Sequence, residues 1–114
     1  MENCIFCKII NKEIKSDIVY EDSDVVVFKD VNPKAPVHLL VVPRKHVSSL
    51  AEIEKLDDIQ ISALMKTIAK VAKELNLDSD GFRVVTNTGV SAGQSVNHLH
   101  FHILGKRNFN WPPG

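Results

Sequence analysis

Seven residues near the C-terminal end, His98-Leu99-His100-Phe101-His102-Ile103-Leu104, constrain this chain more than any other feature. Imidazole and large apolar side chains alternate there, which is the period-2 pattern of a strand with one buried face. Leu99, Phe101 and Ile103 are expected to point into a core, with the three histidines lining the opposite face. Residues two apart on a strand lie roughly 6.6 Å from one another, so the row is about 13 Å long and one metal ion does not easily take all three. His100 is flanked on both sides, and the end histidines can do different work. A neutral imidazole is a competent nucleophile toward phosphorus when an acceptor holds its other nitrogen and fixes the tautomer. A His-x-His pair is equally a metal-ligand spacing, and a strand histidine is ordinarily a partly buried residue with no chemistry of its own. Three of the five histidines fall within five residues, which makes coincidence the weakest reading and leaves nucleophile and metal ligand both open.

A strand of this kind needs neighbours, and other short β-branched runs supply them: Ile18 to Tyr20, Val25 to Phe28, His38 to Val42 and Phe82 to Thr86. Asn32-Pro33-Lys34-Ala35-Pro36 is expected to be a loop, because neither proline can donate to a ladder and both restrict the residue before them. Between Asp57 and Leu75, the positions Ile61, Leu64, Met65, Ile68, Val71, Ala72 and Leu75 recur at helical spacing. They predict one amphipathic helix of about five turns, capped at its start by Asp57 or Asp58 and ended by Asn76 or by Asp80-Gly81. A shorter helix is expected near Cys4, carrying Phe6, Ile9 and Ile10. The sum is an α+β domain, a mostly antiparallel sheet of about five strands with one long and one short helix. With 114 residues, 44% of them hydrophobic, and no repeat or linker, residues 1–114 are read as a single domain.

Charge narrows the partners. Fourteen basic and fourteen acidic side chains cancel and are scattered, so no positive field gathers nucleic acid or a membrane surface, and neither is an expected partner. The first residues lack the basic start and apolar core of a secretory signal, and no apolar run approaches bilayer length, so a cytoplasmic protein is expected.

The stretch Asn87 to Asn97 separates two strand runs by eleven residues, a length that in a small domain usually serves function. Within it, Gly93-Gln94-Ser95-Val96 offers backbone freedom and a hydroxyl immediately before the histidine row. Close-approach glycines and backbone N–H groups of this sort cradle anions, and donors aimed at developing charge on oxygen are what phosphorus chemistry requires. Standing alone, such a loop is usually only a turn.

Residues 93–104 as a run resemble the signature of the histidine triad (HIT) family, His-apolar-His-apolar-His-apolar-apolar. The likeness extends through Phe6-Cys7-Lys8-Ile9, Phe28-Lys29-Asp30, Ala35-Pro36-Val37-His38 and the terminal Trp111-Pro112-Pro113-Gly114, and it is greatest to the Hint-like branch of purine nucleoside phosphoramidate hydrolases. The resemblance implies a homodimer of HIT-like α+β subunits that bind a purine nucleoside monophosphate and work through a nucleotidyl-histidine intermediate. It implies His100 as nucleophile, His102 on a phosphate oxygen or the leaving group, His38 as support for the row, and Asn87 and Ser95 as phosphate ligands. Asp30 is implied as the carboxylate that takes the ribose hydroxyls, which suits two acceptor oxygens facing a vicinal diol. Phe28 and Val31, with Ile10 less closely matched, are implied to line the base pocket, and Gly93, Gln94 and Val96 to sit near the phosphate. The Trp111 tail resembles one that reaches a neighbouring subunit's site, where the ordinary reading is a loose end. Two rivals stay open: cleavage of dinucleoside polyphosphates, and a nucleotide-binding interaction protein with vestigial hydrolysis.

Cys4-x-x-Cys7, His46 and His98 add up to four sulfur and nitrogen ligands, the number and type preferred by tetrahedral Zn²⁺. Many relatives carry such a site and others do without it, so any zinc is expected to be structural. A thioredoxin-like redox pair would need a following βαβ unit, and the strand and helix pattern contains none.

Overall fold

The computed structural model describes residues 3–114. Five strands, β1 (Ile18–Glu21), β2 (Val25–Lys29), β3 (Val37–Pro43), β4 (Phe82–Val85) and β5 (Phe101–Gly105), form one sheet in the order β1-β2-β3-β5-β4. Every neighbouring pair is antiparallel. Three helices accompany it, α1 (Ile5–Ile10), α2 (Asp58–Glu74) and α3 (Leu77–Asp80), with short 3-10 segments at Leu50–Lys55 and Val90–Ala92. The α+β architecture matches the sequence expectation. The one-turn α3 and the 3-10 segments are additions to it.

Each face of the sheet holds its own core. On one face Val25, Val27, Leu39, Val41, Leu99, Phe101 and Ile103 pack with Leu64, Ile68 and Val71 of α2. On the other, Val26, Phe28, Leu40 and Val42 pack with Phe6, Cys7, Ile9 and Ile10 of α1. The middle strands are therefore buried on both sides, which explains why Val25 to Phe28 and Leu39 to Val42 read as unbroken apolar runs rather than alternations. The long helix starts where expected. Asp57 accepts from the Gln60 N–H at 2.7 Å while the Gln60 side chain accepts from the Asp57 N–H at 2.9 Å, a reciprocal cap. Met65 and Leu75, expected on its apolar stripe, are instead substantially exposed. Asn76, left-handed at φ 58°, ends it, and α3 then buries Leu77 so closely against Gly105 that any Cβ there would lie 2.7 Å from a Leu77 methyl.

The histidine row departs from the expected strand. β5 begins at Phe101, so His98, Leu99 and His100 form a non-helical approach to the ladder. Pro43, the last residue of β3, explains the break: it has no N–H to offer, and its carbonyl accepts from the His98 imidazole at 2.9 Å. The Leu99 N–H turns instead to the Val47 carbonyl at 2.8 Å. Among the described residues no helix is long and apolar enough to cross a membrane.

Leu64 is fully buried at the centre of the α2 face. Leu64→Ala is expected to cost about 2–5 kcal/mol through lost burial and a residual cavity, measured by urea unfolding.

Candidate active site

A cavity of about 300 Å³ opens on the α1 face of the sheet, walled on one side by Phe6, Ile9, Ile14 and Phe28 and on the other by His100, His102, Ser95 and Val96. Asp30 and Val31, at the turn after β2, stand at its mouth. Most of the residues singled out from the sequence thus meet at one place. Asn87, Gly93 and Gln94 do not line it, His38 stands behind His102 rather than on the wall, and the Trp111 tail, whose indole is exposed, does not reach it. Gln94 spends its amide on the loop itself, donating to the carbonyls of Ser48 and Val96 and accepting from the Gly89 N–H. Ile10 is replaced on the wall by Ile9, the residue one position earlier on α1. Phe6, Ile9 and Ile14 carry no polar signal, and sequence periodicity assigns such residues to a core.

The hydrogen-bond partners settle which nitrogen of each imidazole holds a proton. A carbonyl can only accept, so His100, with Nδ1 2.7 Å from the His98 carbonyl, donates from Nδ1 and keeps a lone pair on Nε2. His38 shows the opposite tautomer. Its Nδ1 accepts from the Lys34 N–H at 2.9 Å, so its proton is on Nε2, which faces His102 Nδ1 at 2.9 Å and Asp30 Oδ2 at 3.3 Å. The shorter contact makes His102 Nδ1 an acceptor and places the His102 proton on Nε2. Two imidazoles thus stand side by side at the cavity, one offering a lone pair and the other a proton. Asp30 also accepts from the Asn32 N–H at 2.8 Å, and a carboxylate so placed retains acceptor capacity toward the cavity.

Burial keeps His102 and His38 neutral. It depresses His102 to about 4, helped by the charges that His100 and His38 would carry. It also lowers His38, against the opposing pull of the Asp30 carboxylate, so the Asp30–His38 contact joins a carboxylate to a neutral ring.

Behind the row, Cys4, Cys7, His46 and His98 converge. His98 Nδ1 lies 3.3 Å from Cys4 Sγ, 3.5 Å from Cys7 Sγ and 3.1 Å from His46 Nδ1, and Cys7 Sγ lies 3.4 Å from His46 Nδ1. Zinc bonds of about 2.0–2.1 Å to nitrogen and about 2.3 Å to sulfur require ligand atoms roughly 3.3–3.8 Å apart in a tetrahedron, close to what is found. The tautomer fits as well, since His98 donates from Nε2 to the Pro43 carbonyl and so turns a lone pair toward the group. Burial and the neighbouring Cys4 push the Cys7 thiol up to about 11, so without a cation this is an unreactive thiol rather than a redox nucleophile. Asp30, His38 and His102 form a second cluster of ligand atoms. It does not suit a metal, because His38 carries its proton on the nitrogen that would have to bind.

A five-stranded antiparallel sheet whose ladder ends in three alternating histidines, two of them (His100 and His102) lining a cavity and the third (His98) turned behind it, defines a histidine-triad protein. Residues 11–109 match the HIT domain, and the chain belongs to the HIT family. It is similar to an uncharacterised HIT-like protein of Synechocystis, 48% identical over 113 residues that cover 99% of this chain and 98% of that one. A HIT family hydrolase of Clostridium thermocellum superposes with a TM-score of 0.91 at 44% identity over 96% of each chain. A histidine triad nucleotide-binding protein of Candida albicans superposes with a TM-score of 0.86 at 33% identity, over 98% of this chain and 85% of that one.

The depressed histidines tie stability to pH. In the unfolded chain these rings take up protons near 6.5, whereas folded His102 resists until about 4, so the stabilisation is complete above 6.5 and lost as pH falls toward 4. Urea midpoints of metal-free protein should fall steadily across that window; a flat profile would mean that His102 is not buried neutral.

Proposed function

We propose that the protein is a hydrolase of purine nucleoside phosphoramidates, acting through a covalent nucleotidyl-histidine on His100. The single observation that carries this reading is the His100 tautomer, with Nδ1 tied to the His98 carbonyl and the lone pair of Nε2 left for the cavity. In the first step Nε2 attacks phosphorus, the phosphorus–nitrogen bond to the amine breaks, and the departing nitrogen takes the His102 Nε2 proton. His38, donating to His102 Nδ1, stabilises the negative charge that ring gains as its proton leaves, which balances the positive charge formed on the His100 ring as its Nε2 bonds to phosphorus. In the second step water attacks the phosphorus, the bond to His100 breaks, and the water's proton returns to His102. The products are the free amine and a nucleoside monophosphate.

Binding follows from the same wall. Phe28, Val31, Phe6, Ile9 and Ile14 offer apolar surface to a purine, and Asp30 offers acceptors to the ribose hydroxyls. Ser95 and the backbone around Val96 face the phosphate, and Gln94 shapes that loop through its hydrogen bonds to Ser48, Val96 and Gly89. The hydrolase and nucleotide-binding names of the Clostridium and Candida relatives support the reading at the level of class. Zinc is proposed as a structural ion on Cys4, Cys7, His46 and His98. When bound, it neutralises the two thiolates and fastens the N-terminal segment to the sheet. A cytoplasmic homodimer completes the proposal, supported by the exposed Ile59 and Met65 on α2 and Val84 on the edge strand β4.

His100→Ala is expected to lower kcat on adenosine phosphoramidate by several powers of ten while the circular dichroism spectrum and AMP binding persist; full turnover by that variant would end the proposal. Comparing kcat/KM for a phosphoramidate and a dinucleoside polyphosphate ranks the two substrate classes. Elemental analysis should find one zinc per chain, lost in the Cys4→Ser, Cys7→Ser double variant, and sedimentation should find a dimer.

A further inference from the structure

The four-ligand group and the catalytic row share a residue, and it touches them with different atoms. His98 is wholly buried. Its Nδ1 belongs to the group with Cys4, Cys7 and His46, and its main-chain carbonyl accepts the Nδ1 proton of His100 at 2.7 Å. In a regular strand that carbonyl would be held by the ladder. Here β5 starts only at Phe101, so residues 98–100 depend on other fastenings.

Three such fastenings are visible. The His98 ring is held between the Pro43 carbonyl and the ligand group, the Leu99 N–H donates to the Val47 carbonyl, and the His100 carbonyl accepts from the Thr86 hydroxyl at 2.8 Å. The first two lead back to the same place, because Val47 directly follows His46, itself one of the four ligands. A third element is tied in by Phe6, which lies between Cys4 and Cys7 in sequence and whose ring meets His98 edge-on at 6.0 Å and His100 at 5.1 Å.

We propose that Cys4, Cys7, His46 and His98 are positioning residues for the nucleophile: with the four held together, the His98 carbonyl is fixed and His100 keeps its proton on Nδ1 and its lone pair toward the substrate. The inference rests on the reading of His100 as nucleophile and goes beyond a purely structural ion. If the group comes apart, His98 loses one side of its anchorage and the His46–Val47 segment loosens with it. The carbonyl then ceases to select one His100 tautomer, and the proton is shared between both ring nitrogens. An open cavity of about 600 Å³, lined by Cys4, His46, Ser95 and Asn97, reaches the group from solvent, which gives a cation a route in and out of the folded protein.

The test reads the ring directly. Protein labelled with ¹⁵N in its imidazoles is compared as the zinc-loaded wild type, as the Cys4→Ser, Cys7→Ser variant, and as Leu64→Ala, which weakens the core without touching the group. Expected for His100 at neutral pH is the Nδ1–H tautomer alone in the wild type and in Leu64→Ala, and a mixture in the cysteine variant. The cysteine variant should also lose about tenfold or more in kcat with little change in KM, the pattern of a misplaced nucleophile. Should the double variant fail to fold, His46→Ala removes only the half-buried ligand and is read in the same way. A folded, zinc-free variant with a single His100 tautomer and undiminished kcat would overturn the proposal. So would a mixture that appears equally in Leu64→Ala, because general loosening would then be the cause. The tautomer is read without turnover, so this outcome is independent of whether His100→Ala abolishes hydrolysis.

Discussion

The hydrogen bond from His100 Nδ1 to the carbonyl of His98, 2.7 Å long, decides what the rest of the site can do. A histidine that holds its proton on Nδ1 is a base and nucleophile at Nε2; the same ring with the proton moved offers only a donor to the cavity. That one contact aims the lone pair of the other ring nitrogen at the cavity. The neighbouring pair works in the opposite sense. His38 is pinned by the Lys34 N–H, hands its Nε2 proton toward His102, and so leaves His102 a donor at the cavity. Lone pair and proton stand next to each other because two backbone groups, a carbonyl and an amide, chose opposite tautomers.

Why such an arrangement can sit beside a core follows from the sheet. Its central strands are covered on both faces, by α2 and by α1, and this doubled burial keeps His102 and His38 uncharged near neutral pH. The ladder stops at Phe101 because Pro43 has no N–H to continue it, and the freed segment can then turn His98 backward and His100 forward. A longer β5 would have held all three histidines in one row facing one way, with no shared residue between the ligand group and the His100–His102 pair.

Much of this was legible in the residues. The alternation at 98–104 and the helical spacing between Asp57 and Leu75 reflect the side-chain period of a local element, the proline-rich break after β2 reflects missing N–H donors, and such patterns survive in a linear string. Phe6, Ile9 and Ile14 were not legible as cavity wall, since an apolar side chain facing a ligand and one facing a core are chemically the same. The run Gly93-Gln94-Ser95-Val96 marked an anion cradle by type, yet of these only Ser95 and Val96 line the cavity, and the Gln94 amide is spent on hydrogen bonds to Ser48, Val96 and Gly89. Asp30 gained a second partner, His38, because the β2–β3 turn returns the chain to its own neighbour.

By itself the sequence determined the residue chemistry and the local periods: which segments can be strands or helices, and that a histidine row, a thiol pair and a Gly/Ser loop exist. Only the tertiary structure decided which nitrogen carries each proton. Tautomers are selected by single carbonyl and amide groups, Pro43 against His98 from a distant strand, Lys34 against His38 and the His98 carbonyl against His100 from nearby backbone, and the residue pattern does not record which way those groups will point.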